Sequence, residues 1–419
     1  MTITLRPHQK KSVEAMQNHS KGQVIVPTGG GKTICMIEDA KSSMDSCNTG
    51  VTTVVVAPRI LLAEQLCSEF MEIIDPHNSD PYLHVMHVHS GETQYYSSTK
   101  AEKIHLFAGC ARSMGENVII FTTYHSLHRV MEADIEVNNI YFDEAHNSVQ
   151  RNFFPATEFF SHNADRCYYF TATPKHSATI FKPGMNDTEV YGNVICQVPA
   201  PELVNNGFII PPKVVVNHLD NANMFMDVPA RDSVHLIKTI DENGADKALI
   251  CSKSTKNIIN LIGQSDFTFQ LQLRGYSYMY ITAKTGAIID GRKVNREVFF
   301  ETLSAWGRDD AKKFVVLHHS ILSEGINVSG LNAVIFMRSM DYIGISQTIG
   351  RVIRLHKDDA AGLRNGTIIP GKLSEYTKSF GLVCIPTYNK VGIQTAEKVQ
   401  KVVDIVFEQG GAAVSTIKR

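Results

Sequence analysis

Three consecutive glycines, Gly29-Gly30-Gly31, run into Lys32 and Thr33 and follow the stretch Val24-Ile25-Val26-Pro27-Thr28. This order of residue types can hold a phosphate chain. Glycine accepts backbone angles that turn several N–H groups inward together, and the N-terminus of a following helix adds positive potential. Lys32 would then meet the terminal phosphates, and the Thr33 hydroxyl would join the shell of a Mg²⁺ ion. The strict pattern asks for glycine at position 26, where this chain has Val26. Taken alone, the loop can therefore also be read as a structural turn.

A second cluster, Asp143-Glu144-Ala145-His146, closes the apolar run Asn139-Ile140-Tyr141-Phe142. Two adjacent carboxylates beside a core are costly unless a cation neutralises them. Asp143 suits a magnesium ligand, and Glu144 suits the polarising of an attacking water. An acid-rich helix N-terminus is the plain alternative. A third pair, Arg351 and Arg354, is spaced to share one helix face, so that both planar guanidinium forks could address one phosphate cluster. The plain alternative there is a solvated basic face.

Elements must carry these groups to one place. Short runs rich in β-branched and aromatic residues recur at Gln23 to Val26, Thr52 to Val56, Asn117 to Phe121, Asn139 to Phe142, Cys167 to Phe170, Lys247 to Cys251, Tyr278 to Ile281, Phe314 to Leu317 and Ala333 to Met337. They are apolar on both faces, as strands of a helix-covered parallel sheet are. Helix-like segments such as Ile60 to Met71 and Arg296 to Trp306 lie between them, which predicts an α/β fold. The Pro211-Pro212 pair and the polar stretch after it predict a boundary, giving domains 1–212 and 213–419, the second with a helical tail from about residue 393.

The bulk composition narrows the classes. The 419 residues exceed one ordinary core, and 43% hydrophobic with 20% charged residues is ordinary globular usage. A net charge of −1 supplies no general pull toward polyanions or membranes, so a nucleic-acid partner must be read from local sites. Eight scattered cysteines without a Cys-x-x-Cys pair argue against a disulfide framework or a structural zinc. Neither a leader segment nor a run of ~18 apolar residues is visible, so a reducing cytoplasm, bacterial or of a phage-infected host, is the expected location. His84, His87 and His89 read as strand-edge or loop residues, and Trp306 as a helix-packing anchor.

The motif order resembles that of superfamily 2 helicases and translocases of the Asp-Glu-Ala-His type. Arg6-Pro-His-Gln9 looks like their adenine-reading segment, Ala57-Pro58-Arg59 like motif Ia and Thr122-Thr123-Tyr124 like motif Ib. Thr171-Ala172-Thr173-Pro174 looks like motif III, Leu249-Ile-Cys251-Ser-Lys253 like motif IV, Ser323-Glu-Gly325-Ile-Asn327 like motif V and Gln347-Thr-Ile-Gly350-Arg351-Val-Ile-Arg354 like motif VI. The resemblance implies two RecA-like domains, each a mainly parallel sheet flanked by helices, with ATP and Mg²⁺ in an inter-domain cleft.

By the same resemblance, Arg6, Gln9, Pro27, Thr28, Gly29, Gly30, Gly31, Lys32, Thr33, Gly325 and Asn327 would bind the nucleotide, and Thr33 and Asp143 the metal. Lys32, Asp143, Glu144, His146, Gln347, Arg351 and Arg354 would carry catalysis. Pro58, Arg59, Thr122, Thr123, Lys253 and Ser323 would touch nucleic acid.

Within that superfamily, the wording from Gly350 to Lys357 and the stretch from Tyr191 to Gly207 look like the phage recombination DNA helicases of the UvsW type, which implies recombination or repair and favours DNA over RNA. The chain starts almost at the adenine-reading segment, so no substrate-binding domain is expected ahead of the motor. The alternatives are a nucleic-acid-stimulated ATPase serving as the motor of a restriction- or remodelling-type complex, an RNA helicase, and an ATP-binding switch that does not move.

Overall fold

The computed structural model describes residues 4–47, 49–218, 226–282, 284–319, 330–387 and 390–417. The chain divides into two compact units, Met1–Val198 with Val414–Arg419, and Pro199–Ala413.

The first unit carries β1 (Lys21–Ile25), β2 (Thr52–Ala57), β3 (Leu83–Val88), β4 (Tyr96–Ser97), β5 (Asn117–Thr123), β6 (Asn139–Phe142), β7 (Arg166–Thr171), β8 (Lys175–Ser177) and β9 (Val194–Gln197). Eight of them form one sheet in the order β4-β3-β5-β2-β6-β7-β1-β9. Every pairing in it is parallel. The sequence runs explain this arrangement. Val54, Val55 and Val56 are all fully buried, so β2 is covered on both faces, as a strand with helices above and below must be. The helix Ile60–Ile74 turns Leu62, Leu66 and Phe70 inward, and Phe70 meets Phe121 of β5 edge to face at 5.4 Å. Such a sheet delivers the residues that follow its strands to one edge. In register, Ile25 lies opposite Thr171 and Val56 opposite Phe142, so the segments after β1, β2, β6 and β7 emerge side by side.

The second unit carries β10 (Pro212–His218), β11 (Lys247–Cys251), β12 (Tyr276–Thr282), β13 (Gly286–Ile289), β14 (Arg292–Val294), β15 (Lys313–His318), β16 (Ala333–Phe336) and β17 (Gly381–Thr387). Their order is β10-β17-β16-β11-β15-β12-β13-β14. The first six pair in parallel, and β13 and β14 extend the sheet as an antiparallel meander. Pro212 opens β10 at the sheet edge, where a missing N–H leaves no gap in the ladder. A last strand, β18 (Ser415–Ile417), pairs with β8 in the first unit.

The contact division falls after Val198, whereas the sequence expectation put the change at Pro212. The intervening stretch bonds within the second unit: the Ile210 N–H donates to the Ile353 carbonyl and the Gly381 N–H to the Pro211 carbonyl. The expected helical tail is the helix Lys390–Val403 followed by a π-turn, Asp404–Glu408. Trp306 packs on Phe314 at 5.7 Å within the second unit. His84 and His87 lie on β3. Among the described residues, no helix is long and apolar enough to cross a membrane.

Candidate functional site

The glycine loop joins β1 to the helix Lys32–Ser46. Gly29 and Gly31 have φ of 87° and 82°, a region that side chains with a Cβ resist. A Cβ on Gly31 would also come within 2.4 Å of Gln9 Nε2. Glycine at 31 is thus required both by backbone angle and by close approach. The departure at Val26 has a local cause. Val26 is fully buried and its N–H donates to the Thr171 carbonyl at 3.1 Å, so position 26 continues the sheet's bonding one residue past β1 and the loop starts after it.

The helix Pro7–Gln17 lays its first turn against this loop. Gln9 accepts the Arg6 N–H on Oε1 at 2.9 Å, and its Nε2 donates toward the Gly31 carbonyl at 3.4 Å. His8 is buried and its Nε2 donates to the Gly30 carbonyl at 2.7 Å. Residue type alone gives His8 no role. Its place between Pro7 and Gln9 was the available signal.

Lys32 and Glu144 meet from opposite sides of the site, Nζ to Oε1 at 3.1 Å, with both side chains mostly covered. Glu144 follows β6 and Asp143 with φ of 46°, a left-handed conformation unusual for a non-glycine residue and most often kept where function over-determines the backbone. Asp143 is fixed by its main chain: its N–H donates to the Val56 carbonyl at 2.9 Å and its carbonyl accepts the Tyr124 hydroxyl at 2.9 Å. Burial, and then the neighbouring Glu144 charge, push the Asp143 carboxyl up to about 7, against the pull of Lys32.

His146 ties this corner to the end of β7. Its Nδ1 lies 3.5 Å from Glu144 Oε2, 3.0 Å from Thr171 Oγ1 and 3.4 Å from Thr173 Oγ1. The Thr173 N–H in turn donates to Thr171 Oγ1 at 3.0 Å. The Asp-Glu-Ala-His and Thr-Ala-Thr-Pro segments therefore form one hydrogen-bonded block. Thr33 is the second residue of the loop's helix, and the Thr33 hydroxyl and Asp143 carboxylate are hard oxygen donors of the kind magnesium takes.

On the same sheet edge, Pro58 follows β2 and Arg59 caps the helix Ile60–Ile74. Thr122 and Thr123 end β5 with both side chains buried, and the Thr122 hydroxyl donates to the Val88 carbonyl at 3.0 Å. What this pair presents outward is backbone.

In the second unit, Gln347 lies on the helix Tyr342–Ile349, which Gly350 ends. Here the structure corrects the helical reading of the arginine pair. Arg351 and Arg354 follow in a turn, with the Arg351 N–H on the Thr348 carbonyl at 3.2 Å and the Val352 N–H on the Ile349 carbonyl at 3.0 Å. Gly350 stops the helix, so sharing a helical face does not describe them. Arg351 is buried and its charge, with that of Arg338, adds to the burial that pushes His318 down to about 3. Lys253 Nζ lies 3.7 Å from Asp232 Oδ2. Ser323, Gly325 and Asn327 lie outside the described residues.

Residues 2–176, less than half of the chain, match the ResIII family, described as the type III restriction enzyme res subunit. No curated protein matches the chain in sequence. Among solved structures, the ATP-dependent type ISP restriction-modification enzyme LlaBIII bound to DNA matches with TM-score 0.75 and 17% identity, over 100% of this chain and 31% of that one. A nuclease-deletion mutant of the type ISP enzyme LlaGI with a DNA substrate mimic matches with TM-score 0.65 and 19% identity, over 98% of this chain and 30% of that one. S. cerevisiae Dbp5 bound to RNA and ADP BeF3 matches with TM-score 0.55 and 14% identity, over 99% and 94%. This chain thus spans under a third of the length of the two type ISP enzymes. Its fold is the α/β fold of these solved structures, RecA-like in each unit.

Proposed function

We propose that the chain is an ATP-hydrolysing motor of the superfamily 2 helicase and translocase class that moves along nucleic acid, DNA in preference to RNA. The observation that carries this reading is the Lys32–Glu144 contact beside a loop whose backbone demands glycine. A lysine at the start of a helix, held by a carboxylate 3.1 Å away, is poised to exchange that carboxylate for a phosphate oxygen. The exchange frees Glu144 to orient water as the nucleotide arrives. Thr33 and Asp143 would hold Mg²⁺, which supplies charge neutralisation to the phosphates when bound. Gln9 reads the adenine edge, and Arg351 and Arg354 supply guanidinium groups to the transferring phosphoryl group. His146, bonded to Thr171, carries the change at Glu144 to the segment after β7. Pro58, Arg59, Thr122, Thr123, Lys253 and Ser323 would contact the strand through its backbone, so binding is salt-sensitive and largely indifferent to sequence.

The finer identity has two candidate forms. The wording from Gly350 to Lys357 supports a recombination helicase of the phage UvsW type. The ResIII match over residues 2–176 and the near-complete cover by two type ISP enzymes support the motor portion of a restriction-type enzyme, which translocates without separating strands. Strand displacement on forked DNA, beside triplex displacement from plain duplex, distinguishes them. Only a helicase unwinds the fork, while a duplex translocase clears the triplex alone. ATP turnover with RNA but not with DNA would overturn the substrate preference.

A further inference from the structure

The arginine turn of the second unit rests on an anchor outside every motif described above. Asp359, fully buried on the helix Lys357–Asn365, accepts two successive backbone N–H groups, those of Thr377 at 2.7 Å and Lys378 at 3.0 Å. A carboxylate that takes both amides fixes the chain at that point. From there the Lys378 ammonium donates to two carbonyls that belong to different segments: Leu331, just before β16, at 2.7 Å, and Arg354 at 3.0 Å. A few residues on, β17 starts at Gly381, where a Cβ would lie 2.5 Å from the Val352 carbonyl. The segment from Thr377 to Gly381 is thus a seat on which residues 352 to 354 lie.

A lysine that spends its charge on two main-chain carbonyls, half-buried, is unusual for a surface residue and costs desolvation. Burial and the Arg354 charge push its amine down to about 7, with Asp359 opposing. The arginine turn has no helical ladder to hold it, because the helix stops at Ile349. Turn bonds from Arg351 and Val352 and the Ile210 N–H on the Ile353 carbonyl hold its first part, and the Lys378 ammonium holds its end at the Arg354 carbonyl.

We propose that Lys378, set in place by Asp359, is a positioning residue that fixes the Arg351–Arg354 turn for ATP hydrolysis. This rests on the proposed ATPase reading, in which those arginines serve the phosphoryl group. A misplacement of such a group by about 1 Å can lower turnover by up to about a hundredfold without touching ground-state binding.

The test uses the full chain with Lys378→Met, which keeps length and loses the donors, Lys378→Arg, which keeps them, and Asp359→Asn. ATP turnover is measured with saturating DNA, together with KM, thermal midpoint and amide hydrogen exchange of peptides covering residues 349–356. Expected are a fall in kcat of about tenfold or more in Lys378→Met with KM within about twofold, partial rescue in Lys378→Arg, and faster exchange in 349–356 in Lys378→Met and Asp359→Asn. Unchanged kcat and unchanged exchange in a folded Lys378→Met protein overturn the proposal. A KM rise that matches the kcat loss, or a uniform rise in exchange over the second unit, also overturns it, since either indicates general structural damage. If the parent chain turns over no ATP with any nucleic acid, the ATPase reading fails. The exchange of 349–356 then still decides whether Lys378 holds the turn.

Discussion

Lys32 Nζ and Glu144 Oε1 lie 3.1 Å apart, joining the start of the helix after the glycine loop to the residue after β6. Their substitutions should separate binding from chemistry. Lys32→Ala should weaken ATP affinity by about tenfold or more, the loss of one charge-assisted contact. Glu144→Gln should bind ATP as tightly as the parent chain and turn it over about 10²–10⁴-fold more slowly, the span of a lost general base. Equilibrium binding with a fluorescent nucleotide and steady-state hydrolysis measure the two. Normal turnover in Glu144→Gln removes that residue from water activation.

Gly31→Ala places a Cβ at φ of 82° and 2.4 Å from Gln9 Nε2. The backbone angle alone costs about 1–2 kcal/mol. The expected outcome is a lower thermal midpoint with loss of ATP binding, and Gly31→Ala combined with Gln9→Ala should recover part of the stability by removing the clash. If the double variant melts no higher than the single one, the close approach of Gln9 is not what limits position 31.

Much of this was legible in the sequence, and the misses have physical causes. Strands such as Asn139–Phe142 and Lys247–Cys251 carry enough β-branched and aromatic residues to be read directly. The short strands β4, β8, β14 and β18 have two or three residues each and no periodicity to read. Within the site, the glycine loop and the Asp143-Glu144 pair announce themselves by residue type. The Arg351–Arg354 turn departs from the helical expectation because i, i+3 spacing is helical only where the helix continues, and Gly350 ends it. The roles of His8 and Lys378 are not legible in the sequence for another reason. Their partners are main-chain carbonyls of Gly30, Leu331 and Arg354, which leave no trace in residue type.

Asp143 predicts a pH dependence. Burial pushes its carboxyl up to about 7 in the folded chain from an ordinary 3.8. Between those values the unfolded chain gives up the proton that the folded chain keeps. The carboxyl therefore costs the metal-free fold stability as pH rises from about 4 to about 7, with no further change above. Denaturant melts of the parent chain and Asp143→Asn at pH 5, 6, 7 and 8 check it: the parent should lose ground to Asp143→Asn up to pH 7. Parallel curves would show that burial of Asp143 does not govern its titration. Mg²⁺ added with ATP below pH 7 should release protons.

Arg351→Lys keeps the charge and removes the planar fork. Turnover should fall about tenfold or more while ATP affinity and thermal midpoint stay near those of the parent, because an arginine serving the transition state adds little to ground-state binding. Steady-state kinetics with a parallel melting curve distinguish this from simple loss of fold, which buried Arg351 makes a necessary control.

The central proposal is ATP hydrolysis at the Lys32–Glu144 corner stimulated by nucleic acid. Its most direct test is the steady-state ATP turnover of the full chain with no nucleic acid, single-stranded DNA, duplex DNA, forked DNA and RNA, beside Lys32→Ala. The predicted result is turnover raised severalfold or more by DNA, less by RNA, and abolished in Lys32→Ala. Turnover that ignores every nucleic acid, or that survives in Lys32→Ala, contradicts it.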